Sequence, residues 1–195
     1  MNYCELFILQ IVKDILLIVG AATTILFAFL GYGKWKKELK GKAKYELARS
    51  SLKALYSFRD GFKGLRNPFT FSGELPPNYK PLNPNEEEEE QYVITNRLKN
   101  FNNDYNSLKS LLPEMELEYD QELFDLFHQL FGHVIDYQVK LNEYFLLLGR
   151  TNNQEHFKEL IVIIKDTGNP NKLTDEFNLT VSMIEEKLKA IIKKY

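Results

Sequence analysis

The sequence predicts an all-α protein: an N-terminal transmembrane helix that continues into, or is joined to, a cytoplasmic antiparallel bundle of about five helices. Three observations carry this expectation. Ile15 to Tyr32 contains no charged residue. Apolar residues then recur at spacings of three and four along most of the remaining chain, the period of a helix with one buried face. The one β-branched run, Ile161-Val162-Ile163-Ile164, has no second convincing strand to pair with, so it too is read as helix.

The uncharged stretch reads ILLIVGAATTILFAFLGY, 18 residues. At 1.5 Å per residue it spans about 27 Å, enough for a bilayer core. Leu6 to Val12 extend the apolar run upstream, interrupted by Lys13 and Asp14. A cleaved signal peptide needs positive charge before the apolar run and a small-residue cleavage site after it. Here the lysines follow the run, in Gly33-Lys34-Trp35-Lys36-Lys37. An interfacial helix needs a polar face, which this stretch lacks. Lys34, Lys36, Lys37, Lys40, Lys42 and Lys44 all lie after the span. Positive flanks stay in the cytoplasm, so the expected topology is single-pass in a cell inner membrane, N-terminus outside and C-terminal domain cytoplasmic. Tyr32 and Trp35 suit an aromatic belt. Lys34, Trp35, Lys36, Lys37 and Lys40 are accordingly the expected contacts with lipid headgroups or a partner.

The organisation that follows is residues 1–33 for the anchor, 34–66 for a basic juxtamembrane helix, 67–85 for a proline-rich linker and 86–195 for the helical bundle. In the juxtamembrane helix Ala48, Leu52, Leu55, Arg59 and Phe62 step by four and three. Asn67-Pro68 stops it, since proline disfavours helix in the residue before it. Pro68, Pro76, Pro77, Pro81 and Pro84 exclude helix from the linker, and Phe69, Phe71, Leu75 and Tyr79 are expected to pin it. Asn83-Pro84-Asn85-Glu86 reads as a capped helix start. Glu86 to Glu90 then sit at the positive end of the helix dipole. They point all round a helix, which argues against convergence on one metal. Ile94, Leu98, Phe101, Tyr105, Leu108 and Leu112 continue the stripe to Pro113, which ends or kinks it. A wide stripe from Leu123 to Leu148 marks a central helix with Gly149 as its end. Thr151-Asn152-Asn153-Gln154 offers a second capping box, Gly168-Asn169-Pro170 a turn, and Phe177 to Ile191 a last helix.

Net charge is −2, with 44% hydrophobic and 13% aromatic residues. That supports a core and argues against general nucleic-acid affinity. Charge is uneven. Residues 34 to 66 hold eleven Lys or Arg against three acids, a balance of +8; residues 86 to 125 hold twelve acids against three bases, a balance of −9. The basic helix therefore meets anionic headgroups or packs along the acidic helix, in cis or across a dimer. The single cysteine, Cys4, rules out an intramolecular disulfide.

Motifs for chemistry are sparse. No GxGxxG, Walker loop, CxxC, HExxH or GxSxG occurs. Asp125-x-x-His128 and His133-x-x-Asp136 have metal-ligand spacing but share one helix, and His128 and His133 do not share a face. No catalytic residue, cofactor or metal is assigned. Arg59, Asp60 and Arg66 are the charged residues expected to act specifically; Arg59 falls on the apolar stripe of its helix, where an arginine needs a partner such as a carboxylate, in a structural salt bridge.

Gly33-Lys34-Trp35-Lys36-Lys37-Glu38-Leu39-Lys40-Gly41-Lys42, then Tyr45-Glu46-Leu47-Ala48-Arg49, Arg59-Asp60 and Arg66-Asn67-Pro68-Phe69, resembles a family of uncharacterised bacterial single-pass, membrane-anchored helical proteins. The resemblance covers about residues 10 to 70. It implies a bacterial origin and the same topology, and brings no activity or site.

The expected function is a non-enzymatic protein-protein interaction or scaffold module at the inner membrane, binding a protein partner or itself. The alternative is a membrane-active effector of a bacterial stress or phage-response system, acting by oligomerisation through Gly20, Ala21, Ala22, Thr23 and Thr24.

Overall fold

The computed structural model describes residues 3–79, 86–148, 154–169 and 171–194. Among them every regular element is helical: α1 Tyr3–Leu65, α2 Glu86–Lys109, α3 Leu112–Glu118, α4 Gln121–Leu147, α5 Gln154–Ile164 and α6 Lys172–Lys194, with one 3₁₀ turn at Ser72–Glu74. The chain divides into two compact units, Met1–Lys44 and Tyr45–Tyr195.

In the first unit, α1 is long and apolar enough to cross a membrane. Its large apolar side chains from Ile15 to Leu30 stand 54% to 74% exposed, so no protein core covers them. The hydroxyls of Thr23 and Thr24 donate to the carbonyls of Val19 and Gly20 at 2.8 to 2.9 Å. Two polar side chains are thereby satisfied within their own helix, as an apolar surrounding requires. Lys34, Trp35, Lys36, Lys37 and Lys40 are all exposed, and the Trp35 ring rests 6.2 Å from that of Tyr32.

The second unit is built on one apolar core. Leu55, Phe58, Phe62 and Leu65 of α1, Ile94 and Phe101 of α2, Phe127, Val134 and Tyr137 of α4, Leu160 and Ile164 of α5, and Phe177 and Ile184 of α6 are buried in it. Aromatic rings form its middle. Phe62 lies 4.4 Å from Phe177 and 5.2 Å from Tyr137, and Phe58 lies 5.2 Å from Phe101. Rings at these separations add to the burial energy. Helix α4, with the widest apolar stripe, packs on α3, α5 and α6.

Several elements differ from the sequence reading. The acidic helix ends at Lys109, and Pro113 sits in the first turn of the separate α3, where its missing N–H costs nothing. Helix α4 is capped by Asp120, whose carboxylate accepts from the Leu123 N–H at 2.9 Å. Asn171 caps α6 in the same way through the Thr174 N–H, also 2.9 Å. Gly168 adopts φ 78°, a left-handed turn that glycine enters without steric cost. The proposed starts at Asn83 to Asn85 and Thr151 to Asn153, the end at Gly149 and the turn residue Pro170 lie outside the described residues.

Candidate functional site

The second unit carries a cleft where the end of α1, the following loop, the first turns of α2 and the end of α5 come together. The loop is built by local bonds. The Asn67 side chain accepts from the Phe69 N–H at 3.0 Å, and the Glu74 carboxylate accepts from the Phe71 N–H at 3.0 Å. Arg97 of α2 then holds the loop. Its Nε and Nη2 donate to the two Glu74 oxygens at 2.7 Å each, its Nη1 to the Asn67 carbonyl at 2.5 Å, and its Nη2 also to the Phe69 carbonyl at 2.6 Å. The Arg97 side chain is only 10% exposed, and its bonds to Glu74 hold that carboxyl below the usual carboxylate range. Of the four residues expected to pin this segment, Leu75 is half-buried and packs at the cleft, whereas Phe69 is 73% and Phe71 60% exposed. A forked guanidinium satisfies loop carbonyls and a carboxylate together, which rings do not.

The cleft so formed has a volume of about 170 Å³. Leu65, Leu75, Val93, Ile94 and Ile164 give it apolar walls, and Glu86, Glu89, Glu90 and Lys165 line it as well. The three glutamates stand at i, i+3 and i+4, so α2 turns them to one side; Glu87 is not among the lining residues, and Glu88 borders a different, shallower depression with Tyr92 and Asn96. The acid run thus divides between two faces of its helix. Glu90 is committed internally. It binds Lys165 and accepts from the Tyr144 hydroxyl at 2.5 Å. The Tyr144 ring stacks on Phe157 at 5.1 Å, and burial, then the Glu90 bond, pushes its hydroxyl pKa up. Among the described residues Glu86 and Glu89 have no cation partner.

Beside the cleft lies Arg66, 3% exposed. Its Nε donates to the Ile163 carbonyl at 3.0 Å, its Nη1 to the Thr174 hydroxyl at 2.8 Å, and its guanidinium carbon lies 5.6 Å from the Phe62 ring centre. The Asp166 N–H donates back to the Arg66 carbonyl at 2.7 Å. Arg66 therefore ties the end of α1 to the last turn of α5 and the first of α6. Its Nη2 is buried without a partner, and burial lowers its pKa from the ordinary arginine value.

Arg59 departs from its expected place. The buried stripe of α1 runs through Leu55, Phe58, Phe62 and Leu65, and Arg59 lies at its edge, bound to its neighbour Asp60 at 2.8 Å and set over the Tyr56 ring. Its bond to Asp60 raises its pKa. His128 packs edge-on against Phe124, and His133 Nε2 lies 3.2 Å from the Thr180 hydroxyl. Among the described residues no group of three or more His, Cys, Asp or Glu is placed to hold a metal ion. The acidic segment finds cations elsewhere as well, with Glu122 bound to Lys187 at 2.7 Å.

Sequence reasoning passed over Arg97, Glu74, Lys165 and Tyr144. A signal for Arg97 was present: it stands three after Ile94 and four before Phe101, on a stripe where a charge needs partners. The other three reach the site only through the tertiary fold.

No family model, curated protein or solved structure matches this chain. The cleft combines apolar walls, two carboxylates without a cation partner among the described residues, and a loop held on one side by Arg97.

Proposed function

We propose that the chain is a membrane-anchored interaction module, with Ile15–Tyr32 as a single transmembrane span and the second unit as an antiparallel helical bundle that docks a protein partner at the cytoplasmic face of an inner membrane. The observation that carries this reading is the exposure of the apolar span. An uncharged 18-residue span whose large apolar side chains are uncovered is costly in water and favourable in lipid. The lysines after the span favour the cytoplasmic side for everything C-terminal to it, where Lys34, Trp35, Lys36, Lys37 and Lys40 contact headgroups. The second unit buries its own core and keeps an open cleft whose Glu86 and Glu89 have no cation partner among the described residues, features of a surface built to meet another molecule. No reaction is assigned to it.

Two measurements test the proposal. In spheroplasts of a bacterium expressing the chain, external protease should spare everything after Lys34; digestion of that part would reverse the topology. Cross-linking in those membranes, followed by native mass measurement in detergent, should give a species heavier than one chain. A strictly monomeric chain that cross-links to nothing would remove the interaction reading.

A further inference from the structure

We propose that the cleft between the Asn67–Leu75 loop and the start of α2 docks a lysine- or arginine-bearing segment of the partner protein; this rests on the interaction-module reading above. Two independent features specify the occupant. The first is charge. Arg97 is consumed by Glu74 and two loop carbonyls, and Lys165 by Glu90. Among the described residues, the charges left over at the cleft are the carboxylates of Glu86 and Glu89, one turn apart on the side of α2 that faces it. An incoming cation is the complement, and an anion is opposed.

The second is shape. At about 170 Å³ the cleft is smaller than the roughly 300 Å³ from which drug-sized ligand sites begin, and its inner walls are Leu65, Leu75, Val93, Ile94 and Ile164. Long basic side chains match this combination. Their methylene stems lie along apolar surface while the charged head reaches polar groups at the edge. A compact hydrated cation gains nothing from the walls, and an apolar side chain leaves the two carboxylates without a partner. The loop is held by four hydrogen bonds from Arg97, so binding need not pay to order it.

The test uses the full-length chain in nanodiscs of neutral phosphatidylcholine, which removes lipid charge as a competitor. The probe is a fluorescein-labelled octapeptide of alternating lysine and leucine, with a glutamate-leucine octapeptide as its counterpart, read by fluorescence anisotropy. The lysine peptide should bind and the glutamate peptide should not. The double variant Glu86→Gln/Glu89→Gln should weaken binding about tenfold, the effect of two partly exposed ion pairs. Glu87→Gln/Glu88→Gln removes the same charge from residues that do not line the cleft and should change affinity less than about twofold. Leu75→Ala trims a wall and should also weaken binding while leaving the charges in place. Equal losses in the two double variants would reduce the effect to bulk acidity and overturn the proposal, as would a wild-type chain that does not distinguish the two peptides. The native mass measurement above is read without the peptide, so a heavier species with no peptide preference would sink this inference and leave the interaction module standing.

Discussion

Arg97 and Glu74 form a two-pronged pair, with Nε and Nη2 each 2.7 Å from one carboxylate oxygen. They are 23 residues apart in sequence, and their union sets the loop that walls the cleft.

Removing that fork should loosen the loop more than the core. We expect Arg97→Ala to cost about 2–4 kcal/mol, since it leaves a half-buried carboxylate and two loop carbonyls unsatisfied. Arg97→Lys should recover only part of this, because an ammonium lacks the planar fork. Thermal melts give the stability, and limited proteolysis between Asn67 and Tyr79 gives the loop; equal protection in Arg97→Ala and wild type would contradict the assignment.

The same pair predicts an acid dependence. Arg97 holds the Glu74 carboxyl low, so the folded chain binds fewer protons there than the unfolded one. Its stabilisation is complete above the unfolded value of about 4.3 and is lost as pH falls through the lower folded value. The stability gap between wild type and Glu74→Gln should be constant from pH 6 to 8 and close toward pH 3.

Gly61 sits where α1 meets α2. A methyl group there would lie 2.5 Å from an Asp104 oxygen and 3.3 Å from the Phe101 ring. Alanine gains about 1 kcal/mol of helix propensity over glycine, and the collision should cancel that gain. Burial raises the Asp104 pKa, so ionising it costs slightly more in the fold than in the unfolded chain, and Asp104→Asn should be stabilising by a small margin at pH 7. Gly61→Ala added to Asp104→Ala should turn stabilising; additive effects of the two changes would show that they do not meet.

Arg66 offers a local readout. We expect Arg66→Met to cost about 1–3 kcal/mol by stranding the Ile163 carbonyl and removing the donor to the Thr174 hydroxyl, which keeps its own bond to Asn171. Faster amide exchange should be concentrated between Lys165 and Thr174. Uniform acceleration through the unit would instead point to a general loss of packing.

Tyrosine titration tests the core. Burial pushes the Tyr119 hydroxyl up to about 12 and raises those of Tyr137 and Tyr144 as well. The neutral forms stabilise the fold below the unfolded value of about 10, and that contribution is lost as pH rises through the folded values. Of eleven tyrosines, these three should stay silent at 295 nm at pH 11 and ionise only with alkaline unfolding.

The helices were legible because their information is local. Leu123, Phe127, Leu130 and Val134 announce α4 by spacing alone, and Pro68 stops α1 by sterics alone. The caps at Asp120 and Asn171 escaped notice because each stands outside the apolar stripe it serves. The cleft was not legible, since Glu90 meets Tyr144 across 54 positions and Arg66 meets Thr174 across 108. Spacing put Arg59 on the apolar stripe and said nothing of where Arg66 would sit; only packing places the first at the edge of the stripe and buries the second.

The division of the acid run has a consequence for how this sequence can drift. What matters at the start of α2 is phase rather than composition. Glu86, Glu89 and Glu90 reach the cleft because they share the angular position of Val93, Ile94 and Arg97. One residue inserted after Glu90 would keep every glutamate and rotate them by about 100° relative to the walls. A chain with fewer acids in the right phase would keep the cleft, and one with more acids out of phase would lose it.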